Sequence, residues 1–212
     1  MTDGPQHAVP PDCVSAADYE RHAQARLPAD VWAYIAGAGA DGLTQRWNRE
    51  AFDALRLAGR VLADMTGAST ETALFGKPLP VPILIAPVAH QKLVHPDGEL
   101  AAVVGASAIS TWMTASTLAS VSLEDIAKTA QTTLWFQLYM QTTREASLSL
   151  VRRAEAAGYA ALMVTVDAPV NGVRNIEQRA GFRLPAHVRP VNIEGVQGPV
   201  SRAGPGESPV FM

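Results

Sequence analysis

Cysteine is almost absent from this chain of 212 residues, which holds only Cys13. Without a second thiol no disulfide can form within it, and a reducing compartment fits. Charge is sparse as well, at 17% of residues, and neither sign dominates: 17 Lys and Arg stand against 20 Asp and Glu, a formal net charge of −3. No basic run offers a footprint for nucleic acid or anionic lipid. No apolar run is long enough to span a bilayer, and Met1 to Pro11 lack both the basic start and the apolar core of a signal peptide. These absences predict a cytoplasmic protein that acts on small molecules. With 48% of residues hydrophobic, there is enough material for one sizeable core.

Several catalytic signatures are missing too. The spacing Gly37-x-Gly39-x-x-Gly42 follows a helical segment rather than a strand, so it is a coincidence rather than a dinucleotide-binding turn. There is no P-loop and no Gly-x-Ser-x-Gly elbow, so neither nucleotide hydrolysis nor acyl transfer has a footing. His90, His95 and His187 have no carboxylate or cysteine at metal-ligand spacing and read as solvated or capping histidines. No metal is expected.

What is present begins with helices. Ser15 followed by Asp18 resembles a capping box for a helix through Arg26. Pro28 can open a second one bearing Val31, Trp32, Tyr34 and Ile35, with Gly37 and Gly39 ending it. From Val81 the pattern changes to alternating strands and helices. Residues 81–87 form a short apolar run closed by proline, and Gly98 to Ile109 read as an Ala- and Val-rich helix. Trp112 to Ser116, Leu134 to Tyr139 and Ala160 to Val166 read as further strands. Between them, Ser122 with Asp125 caps one helix, and Thr143 caps another over Arg144 to Ala157. In the latter Leu148, Val151 and Ala154 share a face, and Gly158 supplies the stop.

The comparable strand ends are Pro87, Ser116, Tyr139 and Asp167, at steps of 29, 23 and 28 residues. A (β/α)₈ barrel uses about 31 residues per unit, and a doubly wound sheet has similar steps. The placing of polar groups separates the two. Each strand is apolar until its carboxyl end and then turns polar, at Ser116, at Gln137 with Tyr139, and at Thr165 with Asp167. A barrel gathers all its carboxyl ends at one mouth, whereas an open sheet uses mainly its switch point. The α/β class with a TIM barrel is therefore expected.

Ile85-Ala86-Pro87-Val88-Ala89-His90-Gln91, then His95-Pro96-Asp97-Gly98-Glu99, resembles the I-A-P-T-A-x-Q and H-P-x-G-E blocks of the FMN-dependent 2-hydroxy-acid oxidases and dehydrogenases. Residues 122–126, 135–139, 150–158 and 165–169 resemble further blocks in the same order, and Asn48 with Ala51-Phe52 resembles the helix before the barrel. The resemblance implies an FMN cofactor, with the backbone of Pro87, Val88 and Ala89 facing the reactive edge of the flavin. Threonine is usual where Val88 stands, so only a main-chain role transfers there. Ser116, Gln137 and Thr165 match flavin hydrogen-bonding positions. Tyr34 and Tyr139 match two tyrosines that bind the substrate's carboxylate and 2-hydroxyl. Asp167 matches the carboxylate paired with a catalytic histidine, and Arg174 an arginine facing the anionic substrate. The reaction implied is oxidation of a small (S)-2-hydroxy acid to a 2-oxo acid. Leu118 replaces a large aromatic residue, which widens the expected pocket toward aromatic, mandelate-like acids.

The family's flavin lysine, histidine base, carboxylate-clamping arginine and phosphate-binding segment lie on later strands, and nothing after Asp167 resembles them. The chain thus reads as an N-terminal part, with its partner the C-terminal half of the barrel and a homo-oligomer, a tetramer, implied by the resemblance. The expected divisions are a lead at 1–14, helices and the approach to the barrel at 15–80, four βα units at 81–194, and a Gly- and Pro-rich mobile active-site loop at 195–212 within which the chain stops. Two other readings stay open: an inactive fragment that needs its other half, and a flavin-free phosphate-binding barrel.

Overall fold

The computed structural model describes residues 9–167 and 172–194. The last expected division, 195–212, lies outside them. The described residues fall into two compact units, 9–50 with 174–183, and 51–167 with 172–173 and 184–194. None of its helices is long and apolar enough to cross a membrane.

The first unit is helical. In α1 (Ala16–Arg26) the Asp18 carboxylate accepts both the backbone N–H and the hydroxyl of Ser15, each at 2.8 Å. These bonds hold the Asp18 pKa down at about 2. Helix α2 (Ala29–Ala36) buries Val31 and Ala33 and stops at Gly37. It packs on α7 (Asn175–Ala180), which no sequence signal announced. Helix α3 (Leu43–Ala54) spans the region of Asn48 and Phe52.

The second unit opens with a hairpin, β1 (Thr72–Leu74) and β2 (Lys77–Leu79). Phe75 and Gly76 both have positive φ, 49° and 72°, as a two-residue hairpin turn requires. The main sheet follows: β3 (Leu84–Ile85), β4 (Trp112–Ser116), β5 (Leu134–Leu138) and β6 (Ala161–Val164), all parallel and in sequence order. Helices α4 (Glu99–Ala108), α5 (Leu123–Thr129) and α6 (Arg144–Ala156) make the crossovers. Strand order that never reverses, with a helix in every crossover, is an arc of a (β/α) barrel rather than a doubly wound sheet.

Burial explains the strand composition. Every residue of β4 is buried, as expected for a parallel strand covered on both faces. Phe136, Met113, Leu123, Ile126 and Leu150 are fully buried at the centre of the core. Trp135 sits between Trp112 and the hairpin's Phe75, with ring centroids 5.8 and 5.6 Å away.

Three expectations need correction. The run 81–87 yields only a two-residue strand, because Pro82 cannot donate to a ladder and the Ile83 N–H turns back to the Val81 carbonyl at 2.8 Å. Strand β6 ends at Val164 rather than Val166. In α6 the buried face runs through Ser147, Leu150 and Ala154, while Leu148 is 37% exposed. Arg153, on the same helix, is half-buried. Its guanidinium takes both Glu124 oxygens, at 2.8 and 2.9 Å, and the Asn192 carbonyl at 2.9 Å.

Candidate functional site

The polar ends of β4, β5 and β6 meet through one amide. Parallel register sets Ser116 beside Gln137. The Gln137 oxygen accepts the Ser116 hydroxyl and the Thr117 N–H, both at 3.3 Å, while its nitrogen donates to the Thr165 hydroxyl at 3.0 Å. Gln137 is 2% exposed and Ser116 3%, so this row is held out of water, where each unmet bond would cost about 1 to 3 kcal/mol.

Thr117 adds a brace that sequence reading passed over. Fully buried, its hydroxyl donates to the Gln137 carbonyl at 2.7 Å and accepts the Tyr139 N–H at 3.0 Å. Tyr139 is thereby anchored one residue beyond β5, half-buried. Asp167 stands exposed past the end of β6.

Pro87, Val88 and Ala89 form the loop after β3, with the Val88 side chain 47% exposed. The next residue, His90, adopts a left-handed conformation at φ 55° and donates its N–H to the Leu118 carbonyl at 3.1 Å. That conformation is uncommon for a non-glycine residue and costs about 1 kcal/mol or more. Burial pushes the His90 pKa down, with Glu99 opposing, and its Nδ1 is buried without a hydrogen-bond partner among the described residues. Glu99 holds the loop from below. Fully buried, it accepts the N–H groups of Gln91 at 3.2 Å and Ser120 at 2.8 Å, and the Ser120 hydroxyl at 2.9 Å. The motif containing Glu99 was visible in the sequence; its part in tying the loops after β3 and β4 together was not. Gly98 makes the fit possible: at φ 51°, a Cβ there would come within 2.8 Å of Lys92 Cγ.

The other two candidates lie in the first unit. Tyr34 stacks on Phe182 with centroids 4.5 Å apart, and the Arg174 guanidinium lies 5.3 Å from the Tyr34 ring centre. Arg174 also donates to the carbonyls of Tyr34 and Gly37 at the end of α2 and pairs with Glu177. The structure thus brings Ser116, Gln137, Thr165 and Tyr139 together in one unit, and Tyr34 and Arg174 together in the other. Of the remaining histidines, His95 Nδ1 accepts the Asp97 N–H at 3.2 Å, and His187 is exposed.

The row suits a flavin. The pyrimidine edge alternates N–H and carbonyl groups, and the row offers two hydroxyls and one amide, so it can donate and accept in turn.

Comparison with known proteins points to the same cofactor. The chain matches the family model described as FMN-dependent dehydrogenase over residues 23–206. It is 42% identical over 209 residues to an L-lactate oxidase of Alicycliphilus denitrificans, covering 98% of this chain and 57% of the relative. A 4-hydroxymandelate oxidase of Amycolatopsis orientalis is 41% identical, over 85% of this chain and 50% of the relative. A solved structure of mandelate oxidase superposes with a TM-score of 0.82 at 42% identity, covering 86% of this chain and 53% of that one. The chain therefore spans about half the length of the curated relatives it matches. Matched over most of its length and sharing the parallel sheet, this chain belongs to the FMN-dependent dehydrogenase family.

Proposed function

We propose that this chain supplies the flavin-facing side and part of the substrate site of an FMN-dependent enzyme that oxidises an (S)-2-hydroxy acid to a 2-oxo acid. The observation that carries the reading is the Ser116–Gln137–Thr165 row at three adjacent strand ends. Ser116, Gln137 and Thr165 would hold the ring of a bound flavin, with the Pro87–Ala89 backbone available to face it. FMN, when bound, accepts the two electrons that leave the substrate.

The protein's side chains manage the rest. The hydroxyls of Tyr34 and Tyr139 hold the substrate carboxylate and 2-hydroxyl, and Arg174 adds positive charge beside Tyr34. Asp167 orients a histidine contributed by the later strands and stabilises the imidazolium formed when that base takes the substrate's proton. The partner is accordingly a polypeptide carrying the C-terminal half of the barrel, whether continuous with this chain or separate.

Leu118, half-buried in the loop after β4, favours a bulky acid such as mandelate. The likeness to mandelate and 4-hydroxymandelate oxidases supports that choice. In an enzyme completed by the later strands, flavin absorbance and turnover of mandelate above lactate and glycolate are expected. A colourless protein would overturn the cofactor assignment, and a clear preference for glycolate the substrate assignment.

A further inference from the structure

A turn with little freedom precedes α1. Pro10 and Pro11 fix their own φ angles, and the Cys13 N–H closes the turn on the Pro10 carbonyl at 3.0 Å. The next two residues are tied down by Asp18, whose carboxylate accepts the N–H groups of Val14 at 3.1 Å and Ser15 at 2.8 Å. The turn is thereby set against α1, and His22 lies one turn beyond Asp18. His22 Nε2 is 3.0 and 3.1 Å from the two oxygens of the Asp12 carboxylate. The potential ligand atoms of Asp12, Cys13 and His22 all lie within 4.8 Å of one another. Cys13 and His22 are half-buried and Asp12 is exposed.

We propose that Asp12, Cys13 and His22 form a binding site for a borderline-soft divalent ion such as Zn²⁺, with water completing the coordination. The sequence did not suggest it, because a gap of eight residues between Cys13 and His22 matches no common ligand spacing; the fold closes that gap. Donor chemistry selects the ion. A thiolate, an imidazole and a carboxylate suit zinc or cobalt, whereas calcium and magnesium take oxygen alone. Bond lengths of about 2.0 to 2.3 Å place tetrahedral ligands roughly 3.3 to 3.7 Å apart, so the cluster must close by about 1 Å. Asp12 is exposed, and rotation of its side chain can make that adjustment while the turn itself stays fixed.

Binding replaces the Cys13 S–H bond with a sulfur–metal bond and releases that proton to solvent, with no change of oxidation state. His22 gives up its hydrogen bond to Asp12 and coordinates through neutral Nε2. The charges facing the thiol are Asp12, Asp18, Arg21 and Arg26. A ligating thiol must lose its proton, so metal uptake strengthens as pH rises. Arg21 is the local competitor, 3.9 Å from Asp12, but its shorter contact is to Asp18 at 2.9 Å, which leaves Asp12 available. The bound ion would clip the lead to α1, independently of the flavin site.

Titration of the chelator-treated chain with Co²⁺ in a reducing, non-coordinating buffer tests this. One equivalent is expected to produce visible ligand-field bands and a near-ultraviolet thiolate-to-cobalt band, both abolished by added Zn²⁺. As Cys13 is the sole cysteine, a thiolate band has only one possible source. Cys13→Ser should remove that band with the circular dichroism unchanged, and His22→Ala should weaken binding at least tenfold. Absence of the thiolate band at stoichiometric Co²⁺, or equal affinity in both variants, overturns the site and leaves a His22–Asp12 hydrogen bond with an idle thiol beside it.

Discussion

Gln137 and Thr165, on neighbouring strand ends, share a hydrogen bond of 3.0 Å from amide nitrogen to hydroxyl. Together with the bond from Ser116 on the other side, it makes one amide responsible for the order of three strand ends. Gln137→Leu keeps the volume and removes the polar atoms, leaving buried partners unmet. Stability should fall by about 1 to 3 kcal/mol, read as a lower urea midpoint, and flavin uptake by the completed barrel should weaken at least tenfold. Unchanged flavin affinity would separate the row from the cofactor.

Asn192 is 1% exposed and bridges backbone at two points, accepting the Leu123 N–H at 3.0 Å and donating to the Val121 carbonyl at 3.1 Å. Asn192→Ala should lower stability by about 1 to 3 kcal/mol. The same loss without any change in substrate kinetics of a complete enzyme is the outcome that marks a purely architectural residue.

His90 makes the fold sensitive to acid. Its folded pKa is depressed from an ordinary 6.5, so the unfolded chain binds the proton more readily. The contribution to stability is fully present above 6.5 and declines as pH falls below it toward the depressed value. Thermal melts from about pH 7.5 to about pH 5 should show a shallower acid slope in His90→Gln than in the parent. Parallel slopes would assign the acid sensitivity to other groups.

The outer edge of β6 pairs with no described strand, and Leu162 and Val164 beside it are 43% and 44% exposed. With Leu138, Met140 and Leu148 they line an open apolar groove. An unprotected parallel edge of this kind promotes association. Val164→Lys should reduce self-association of the 212-residue chain in light scattering, and should also impair its pairing with a C-terminal half.

Much of this arrangement was legible. Trp112–Ser116 was read to the residue, since an apolar run bounded by loops suits a strand buried on both faces. The polar strand ends meet in the row of Ser116, Gln137 and Thr165. Other features depended on tertiary context. Phe75 lacks any turn signature, and the hairpin it tips is held by packing on Trp135. The phase of α6 was misread because Leu148 looks like a core residue in sequence, whereas the helix seats Ser147 and Leu150 on the sheet and leaves Leu148 by the β6 edge. Thr117 earned no notice, and the tying role of Glu99 stayed hidden within its motif, because a buried hydroxyl and a buried carboxylate are indistinguishable in sequence from solvated ones.

Strand order that follows sequence order also bears on how the protein is made. Each strand of the main sheet finds its neighbour one βα unit back, at registers such as Leu84 with Trp112 and Trp135 with Ala161. A ribosome releasing the chain from its amino end would present every new strand to an edge already formed, so the sheet can lengthen during synthesis without waiting for distant segments.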